Sequence, residues 1–199
     1  MKVMARLMAM RSVRQILLLI LLGLAVAIMS CKTTSTGPTN DINNLLPNGS
    51  FELNGKPTWG HWVLLDTPID TTTLFVQDVP LLGGSWCLEL QPHPPDANYA
   101  RSFITGTTAL GGIYQLTVYA KATNGWPNGS VAIGKISSGF TTILQSKSTP
   151  AGSWTQYTLE DTLDLASQDS LFVQLSPGPD NQIFPGTMRF DLVKLEKIR

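Results

Sequence analysis

Nitrogen and sulfur side chains suited to metal or nucleophilic chemistry are scarce in this chain: two histidines, His61 and His93, and two cysteines, Cys31 and Cys87, among 199 residues. His93 sits in Gln91-Pro92-His93-Pro94-Pro95, a stiff loop that offers no second ligand one helical turn away. No nucleophile elbow, P-loop or zinc motif occurs. A glycosidase needs two carboxylates across a cleft, but Glu160, Asp161 and Asp164 fall on or beside one predicted strand, where solvated edge charges account for them. The sequence therefore reads as non-catalytic. Charged residues make up only 14% of it, and no basic stripe is present that could neutralise phosphates, which argues against nucleic acid. Helical recurrence of apolar residues over three turns is also missing, as are internal repeats.

What is present begins with a segment unlike the rest. Lys2, Arg6, Arg11 and Arg14 stand without an acid and are followed by an uncharged apolar run from Ile16 to Met29. These are the n-region and h-region of a secretory signal, and the run is shorter than the roughly 20 residues that cross a bilayer. The junction Ile28-Met29-Ser30-Cys31 resembles the lipobox of bacterial lipoproteins, with an aliphatic residue three positions back, a small residue just before, and then the acceptor cysteine. That resemblance implies a cell-envelope lipoprotein whose Cys31 is acylated, as by palmitate, and tied to the membrane. By the sorting habit of many such proteins, Lys32 after the cysteine points to the outer membrane. Residues 32–43 are Thr, Ser, Gly, Pro and Asn with almost no apolar side chain, the composition of a flexible tether. Three segments follow: a signal at 1–30, the lipidated cysteine and tether at 31–43, and one domain at 44–199. Loss of the signal leaves ten basic residues against fourteen acids, a net charge of −4. Cys87 is then the one remaining thiol, expected as a small buried hydrophobe without a disulfide partner.

The domain reads as all-β. Short runs rich in β-branched, aromatic and aliphatic residues alternate with Gly, Pro, Asn and Asp. Predicted strands are 46–53, 59–65, 73–76, 86–91, 100–105, 113–121, 130–136, 141–146, 155–163, 170–175 and 188–197. Turn signals separate them at Gly83-Gly84, Gly111-Gly112, Asn124-Gly125, Asn128-Gly129 and Pro177-Gly178-Pro179. Within strands, Tyr114, Leu116, Val118 and Ala120 share one face against Gln115, Thr117, Tyr119 and Lys121, and Leu171, Val173 and Leu175 oppose Phe172 and Gln174. Half-buried strands at this spacing predict an antiparallel β-sandwich.

Four stretches carry a family resemblance. They are Asn44-Leu45-Leu46-Pro47-Asn48-Gly49-Ser50-Phe51-Glu52, the strand from Gly112 to Lys121, Trp154-Thr155-Gln156-Tyr157-Thr158, and Phe190-Asp191-Leu192-Val193-Lys194-Leu195. In order and spacing they resemble the carbohydrate-binding modules of the galactose-binding-domain-like jelly rolls, the group that includes families 4, 9 and 22. The resemblance covers residues 44–198. It implies a jelly-roll fold and one structural calcium where the first and last strands meet, held by Glu52, Asp191 and backbone carbonyls, the oxygen ligands a hard cation prefers. Glu52 and Asp191 could equally face solvent or cap turns. Glu89, on the strand opened by the Gly83-Gly84 turn, could contribute a further carboxylate but has no motif behind it.

Glycan sites stack aromatic rings on sugar faces and place a few polar side chains beside them. Trp62, Trp86 and Trp154 are expected in the core. Trp126 lies in the turn-rich Asn124–Gly129 loop, where a large ring either packs down as a lid or meets a ligand. Trp59, and Tyr99 with Arg101, are the other ligand-binding candidates. Two functions follow: a non-catalytic lipoprotein that binds polysaccharide by aromatic stacking, or an envelope interaction protein that offers the same sandwich to a protein partner.

Overall fold

The computed structural model describes residues 43–65, 74–92, 99–104, 111–123, 129–178 and 187–199, so the signal, Cys31, the tether as far as residue 42, His93 and Trp126 lie outside the described residues. Among the described residues there is no α-helix, hence none long and apolar enough to cross a membrane. The strands are β1 (Glu52–Leu53), β2 (Lys56–Pro57), β3 (Trp62–Leu65), β4 (Phe75–Val76), β5 (Cys87–Leu90), β6 (Tyr99–Ile104), β7 (Gly112–Thr123), β8 (Ser130–Ser137), β9 (Phe140–Ser148), β10 (Thr155–Leu163), β11 (Ser170–Ser176) and β12 (Thr187–Lys197). One sheet has the order β3-β6-β11-β8-β9 and the other β10-β7-β12-β5-β4, while β1 and β2 form a small hairpin. Every pairing is antiparallel. The fold is an all-β jelly-roll sandwich.

The core lies between the two sheets, and period-2 alternation puts it there. Tyr114, Leu116, Val118 and Ala120 of β7 face Leu171, Val173 and Leu175 of β11 as wholly buried side chains. Met188, Phe190, Leu88 and Leu90 extend the same layer. Cys87 is buried as expected, its thiol donating to the Asp78 carbonyl at 3.0 Å. Between β8 and β9 the Ser138-Gly139 pair has φ of 50° and 84°, the positive values that a two-residue hairpin turn needs.

Three expectations need correction. The predicted strand 46–53 survives only at Glu52–Leu53, because Asn48 and Phe51 adopt φ of 58° and 57°, which no continuous strand accommodates. The segment is held to β12 instead: Leu45 N–H donates to the Leu195 carbonyl at 2.8 Å, and Val193 N–H to the Gly49 carbonyl at 2.7 Å. Asn44 acts as a clasp there, with Nδ2 donating to Val193 O at 3.0 Å while Oδ1 accepts from the N–H of Leu46 at 3.0 Å and of Leu195 at 2.9 Å. Trp62 is in the core, but Trp86 and Trp154 stand just before β5 and β10, half-buried, where the alternation has not begun. The Trp154 indole donates to Asp78 Oδ1 at 3.3 Å.

That Asp78 organises the outward face of the second sheet. Its Oδ2 accepts from Lys121 Nζ at 2.6 Å and from Arg189, whose Nε donates to Glu89 Oε2 at 2.6 Å. Glu89 is therefore an ion-pair partner of Arg189. Farther along β12, Lys194 pairs with Glu196 at 2.9 Å. Glu160 and Asp164 are exposed on and beside β10, an edge strand, in keeping with solvated edge charges.

One ion pair sets an acid response. The Ser137 hydroxyl, the Lys135 ammonium 2.9 Å from Oδ2 and the Ala166 N–H hold the Asp169 carboxyl down to about 2, although Oδ1 itself has no hydrogen-bond partner. A carboxyl depressed by folding adds stability that is present above its unfolded value and is lost as pH falls through the folded one. Urea unfolding of Asp169→Asn beside the parent should show a gap that is full above about pH 4 and closes toward about pH 2. A gap independent of pH would exclude the ionised carboxylate as its source.

Candidate functional site

The outward face of the β3-β6-β11-β8-β9 sheet gathers the features of a sugar-sized platform. Alternation along β6 turns Ala100, Ser102 and Ile104 inward and Tyr99, Arg101 and Phe103 outward. The register sets Arg101 opposite Gln174 and Phe103 opposite Phe172. Arg101 Nε donates to Gln174 Oε1 at 2.7 Å, and the guanidinium carbon lies 4.5 Å from the Phe172 ring centre and 6.0 Å from that of Tyr99. Phe103 and Phe172 meet at 6.0 Å and 58°. Phe172 is 0% exposed although it points away from the core. Gly134, its cross-strand partner on β8, explains this: a Cβ there would run into the Phe172 ring and come within 2.8 Å of the Thr142 carbonyl. The ring therefore lies flat along β8, roofed by Arg101, and a guanidinium held over a ring is attracted by its π face. Arg101 is thereby fixed in direction, with its donors set beside the half-buried rings of Tyr99 and Phe103.

A second constellation lies at the end of the sandwich. Asp191 is 0% exposed, its Oδ1 accepting from Leu192 N–H at 2.7 Å and its Oδ2 without a hydrogen-bond partner. A side chain at Gly83 would collide with that Oδ2, and one at Gly84 would come within 2.7 and 2.8 Å of the two Glu52 oxygens. Both carboxylates therefore face one Gly-Gly turn, and Glu52 Oε1 accepts from the N–H groups of Ser85 and Trp86. Gly84 has φ of 78°, a conformation that costs glycine nothing. Burial pushes the Asp191 carboxyl up to about 9, opposed by the Leu192 N–H and reinforced by the charge of Glu52. A buried carboxylate oxygen with no donor, next to a second carboxylate, is an arrangement that a hard cation relieves. The residues present fit such an ion, although among the described residues no group of three or more His, Cys, Asp or Glu converges. Beside them runs a cleft of about 490 Å³ lined by Asn44, Asn48, Glu52, His61 and residues 192–194 among others.

No protein-family model matches the sequence, and no curated protein does. Solved structures do match. The enzymatically active domain of tailspike protein 4 of bacteriophage CBA120 superposes with a TM-score of 0.54 at 20% identity over 78% of this chain, which spans 22% of that one. A family 16 carbohydrate-binding module gives 0.52 at 18% identity over 77% of this chain and 100% of its own. The xylan-binding domain of carbohydrate-binding module family 22 gives 0.51 at 16% identity, covering 72% of this chain and 90% of its own. The fold is that of the jelly-roll carbohydrate-binding modules. At these identities the likeness is one of architecture alone.

Of the residues anticipated for ligand binding, Tyr99 and Arg101 share the β6 face. Trp59 does not join them: it is half-buried, edge-on to Phe75 at 5.4 Å and 60°, and closes the seam between edge strands β3 and β4. The ring packs against the core. Glu52 and Asp191 meet at one turn, and the burial of Asp191 removes the reading in which both face solvent. Phe103, Phe172 and Gln174 were not anticipated as site residues. Phe103 shares the strand and parity of Arg101, whereas Phe172 and Gln174 share parity on a strand whose place beside it the sequence does not show.

Proposed function

We propose that the outward β6 face binds the sugar units of a polysaccharide, and that the protein is a non-catalytic cell-envelope lipoprotein held at the outer membrane through acylated Cys31. The observation that carries the sugar reading is Arg101, aimed by Gln174 and the Phe172 ring between two further aromatic rings. Tyr99 and Phe103 offer faces for pyranose stacking, while Arg101 and Gln174 exchange hydrogen bonds with hydroxyls. Carbohydrate-binding modules of the same fold support the assignment. The rival, a protein partner on this face, calls for a contiguous apolar patch. Here Val63 on β3 is exposed at one edge of the sheet and Phe140 and Ile143 on β9 at the other, with Arg101 and Gln174 on the strands between. Trp126, which falls in sequence between β7 and β8, remains a proposed contact on sequence grounds.

Affinity electrophoresis on plant and algal polysaccharides tests this. Retardation by at least one glycan is expected, and Arg101→Ala should weaken it about tenfold or more, the worth of a lost charged hydrogen bond. No retardation by any glycan, or retardation untouched by Arg101→Ala and Tyr99→Ala, would remove the site.

We further propose that Glu52 and Asp191 hold one structural calcium. The ion would supply charge compensation and tie β1, β12 and the 83–86 turn together. Calcium at about a hundred times its Kd adds about 2.7 kcal/mol, so EDTA should lower Tm by roughly 5–10 °C. Asp191→Asn should abolish that response. An unchanged Tm together with no calorimetric heat of binding would exclude the metal.

A further inference from the structure

Two of the most exposed large apolar side chains among the described residues are adjacent: Leu81 is 88% and Leu82 83% exposed. They are displayed on a fixed tip. Gly83 N–H donates to the Pro80 carbonyl at 2.9 Å, Gly83 abuts Asp191, and Glu52 accepts from the N–H groups of Ser85 and Trp86. Leu82 adopts φ of 75°, unfavourable for a branched aliphatic residue, so the turn holds it outward against its own preference. From Val79 to Trp86 the chain carries no charge, and Trp86, half-buried at the base, has the amphipathic ring favoured at lipid–water boundaries. Leu53, 63% exposed, follows Glu52 on the same hairpin.

We propose that this turn docks on the lipid bilayer, with Leu81 and Leu82 entering the headgroup boundary. The occupant follows from where the chain enters the domain. Asn44 is bonded to Val193, two residues beyond the Asp191 that Gly83 touches, and Asn44 and Glu52 line the same cleft. Tether entry and apolar tip thus share one end of the sandwich. Twelve residues, Lys32 to Asn43, of tether composition span about 20 Å, so an acylated Cys31 keeps this end close to lipid. The inference rests on the lipid-anchor reading proposed above. Tethering makes tip insertion an intramolecular event, so two leucines suffice where a free domain would need more. It also fixes orientation: the tethered end meets the membrane and the broad β6 face stands to the side.

The test uses the acylated full-length protein in phosphatidylcholine vesicles, labelled with an environment-sensitive fluorophore at Leu81→Cys or, for comparison, at the exposed Ser167→Cys. Buried Cys87 is protected from the label. Co-flotation with vesicles, a blue shift at position 81 and several-fold more quenching there than at 167 by lipid-borne spin labels are expected. Co-flotation without lipid-borne quenching at 81 overturns tip insertion and leaves the anchor standing. A blue shift with no such quenching means a protein contact covers the turn, and also overturns it. No co-flotation and no acyl mass on Cys31 bring down the anchor and this inference together.

Discussion

Phe172→Ala is expected to cost about 3–5 kcal/mol, the range for emptying a buried aromatic site, and to abolish glycan retention under conditions where the protein is still folded. The size follows from a ring that is fully enclosed on what should be the solvent side of its sheet, between Gly134 below and Arg101 above. Removing it leaves a void and takes away the surface that directs the guanidinium. Phe172→Leu keeps most of the volume and should cost far less stability, yet it too removes the π face. The pair therefore separates packing from recognition: urea denaturation reads the first and polysaccharide titration the second. Glycan affinity unchanged in a folded Phe172→Leu protein would mean that Arg101 is positioned by Gln174 alone, or that the sugar lies elsewhere.

Asn44→Ala should remove about 2–4 kcal/mol, since one side chain closes three hydrogen bonds, each worth about 0.5–1.5 kcal/mol net. It is the clasp by which the entering chain is fastened to β12 where the strand is irregular, its register shifting between Asp191 and Lys194. Asn44→Asp preserves both accepted bonds but sets a carboxylate against the Val193 carbonyl, and should fall between alanine and the parent. Hydrogen exchange offers a local check, with the Leu195 amide losing protection first. A fully protected Leu195 amide in Asn44→Ala would show that the main-chain bonds hold this segment unaided.

The strands were legible because burial on one face imposes alternation, and β7, β10 and β11 are long enough to display it. Asn44–Glu52 misled for a local reason: its residue types suit a strand, but Asn48 and Phe51 are turned by positive φ, and the chain is captured by distant β12. Trp86 misled because the parity of Leu88 and Leu90 was extended beyond the start of β5, and Trp154 because its core place rested on the family resemblance while the residue stands just before β10. The pairing of Glu52 with Asp191 was legible through motif resemblance alone, since 139 residues separate them and only the Gly83-Gly84 turn brings them to one place. Tyr99 and Arg101 were named on exposure grounds, and the structure puts them on one face of β6. Their supports could not be named: the burial of Phe172 depends on a glycine one strand over, and the aim of Arg101 on a glutamine 73 positions away. Such contacts exist only once strand order and register are known.

The self-paired charges of Asp78, Lys121, Arg189 and Glu89 give the molecule a quiet flank. Copies standing shoulder to shoulder would find little there to grip, so crowding need not drive them to clump. Under the proposed anchor and sugar platform, a layer of copies would carry many separate, similarly oriented platforms. One long chain of repeating units could bridge these platforms, gaining strength from number where each single grasp is weak.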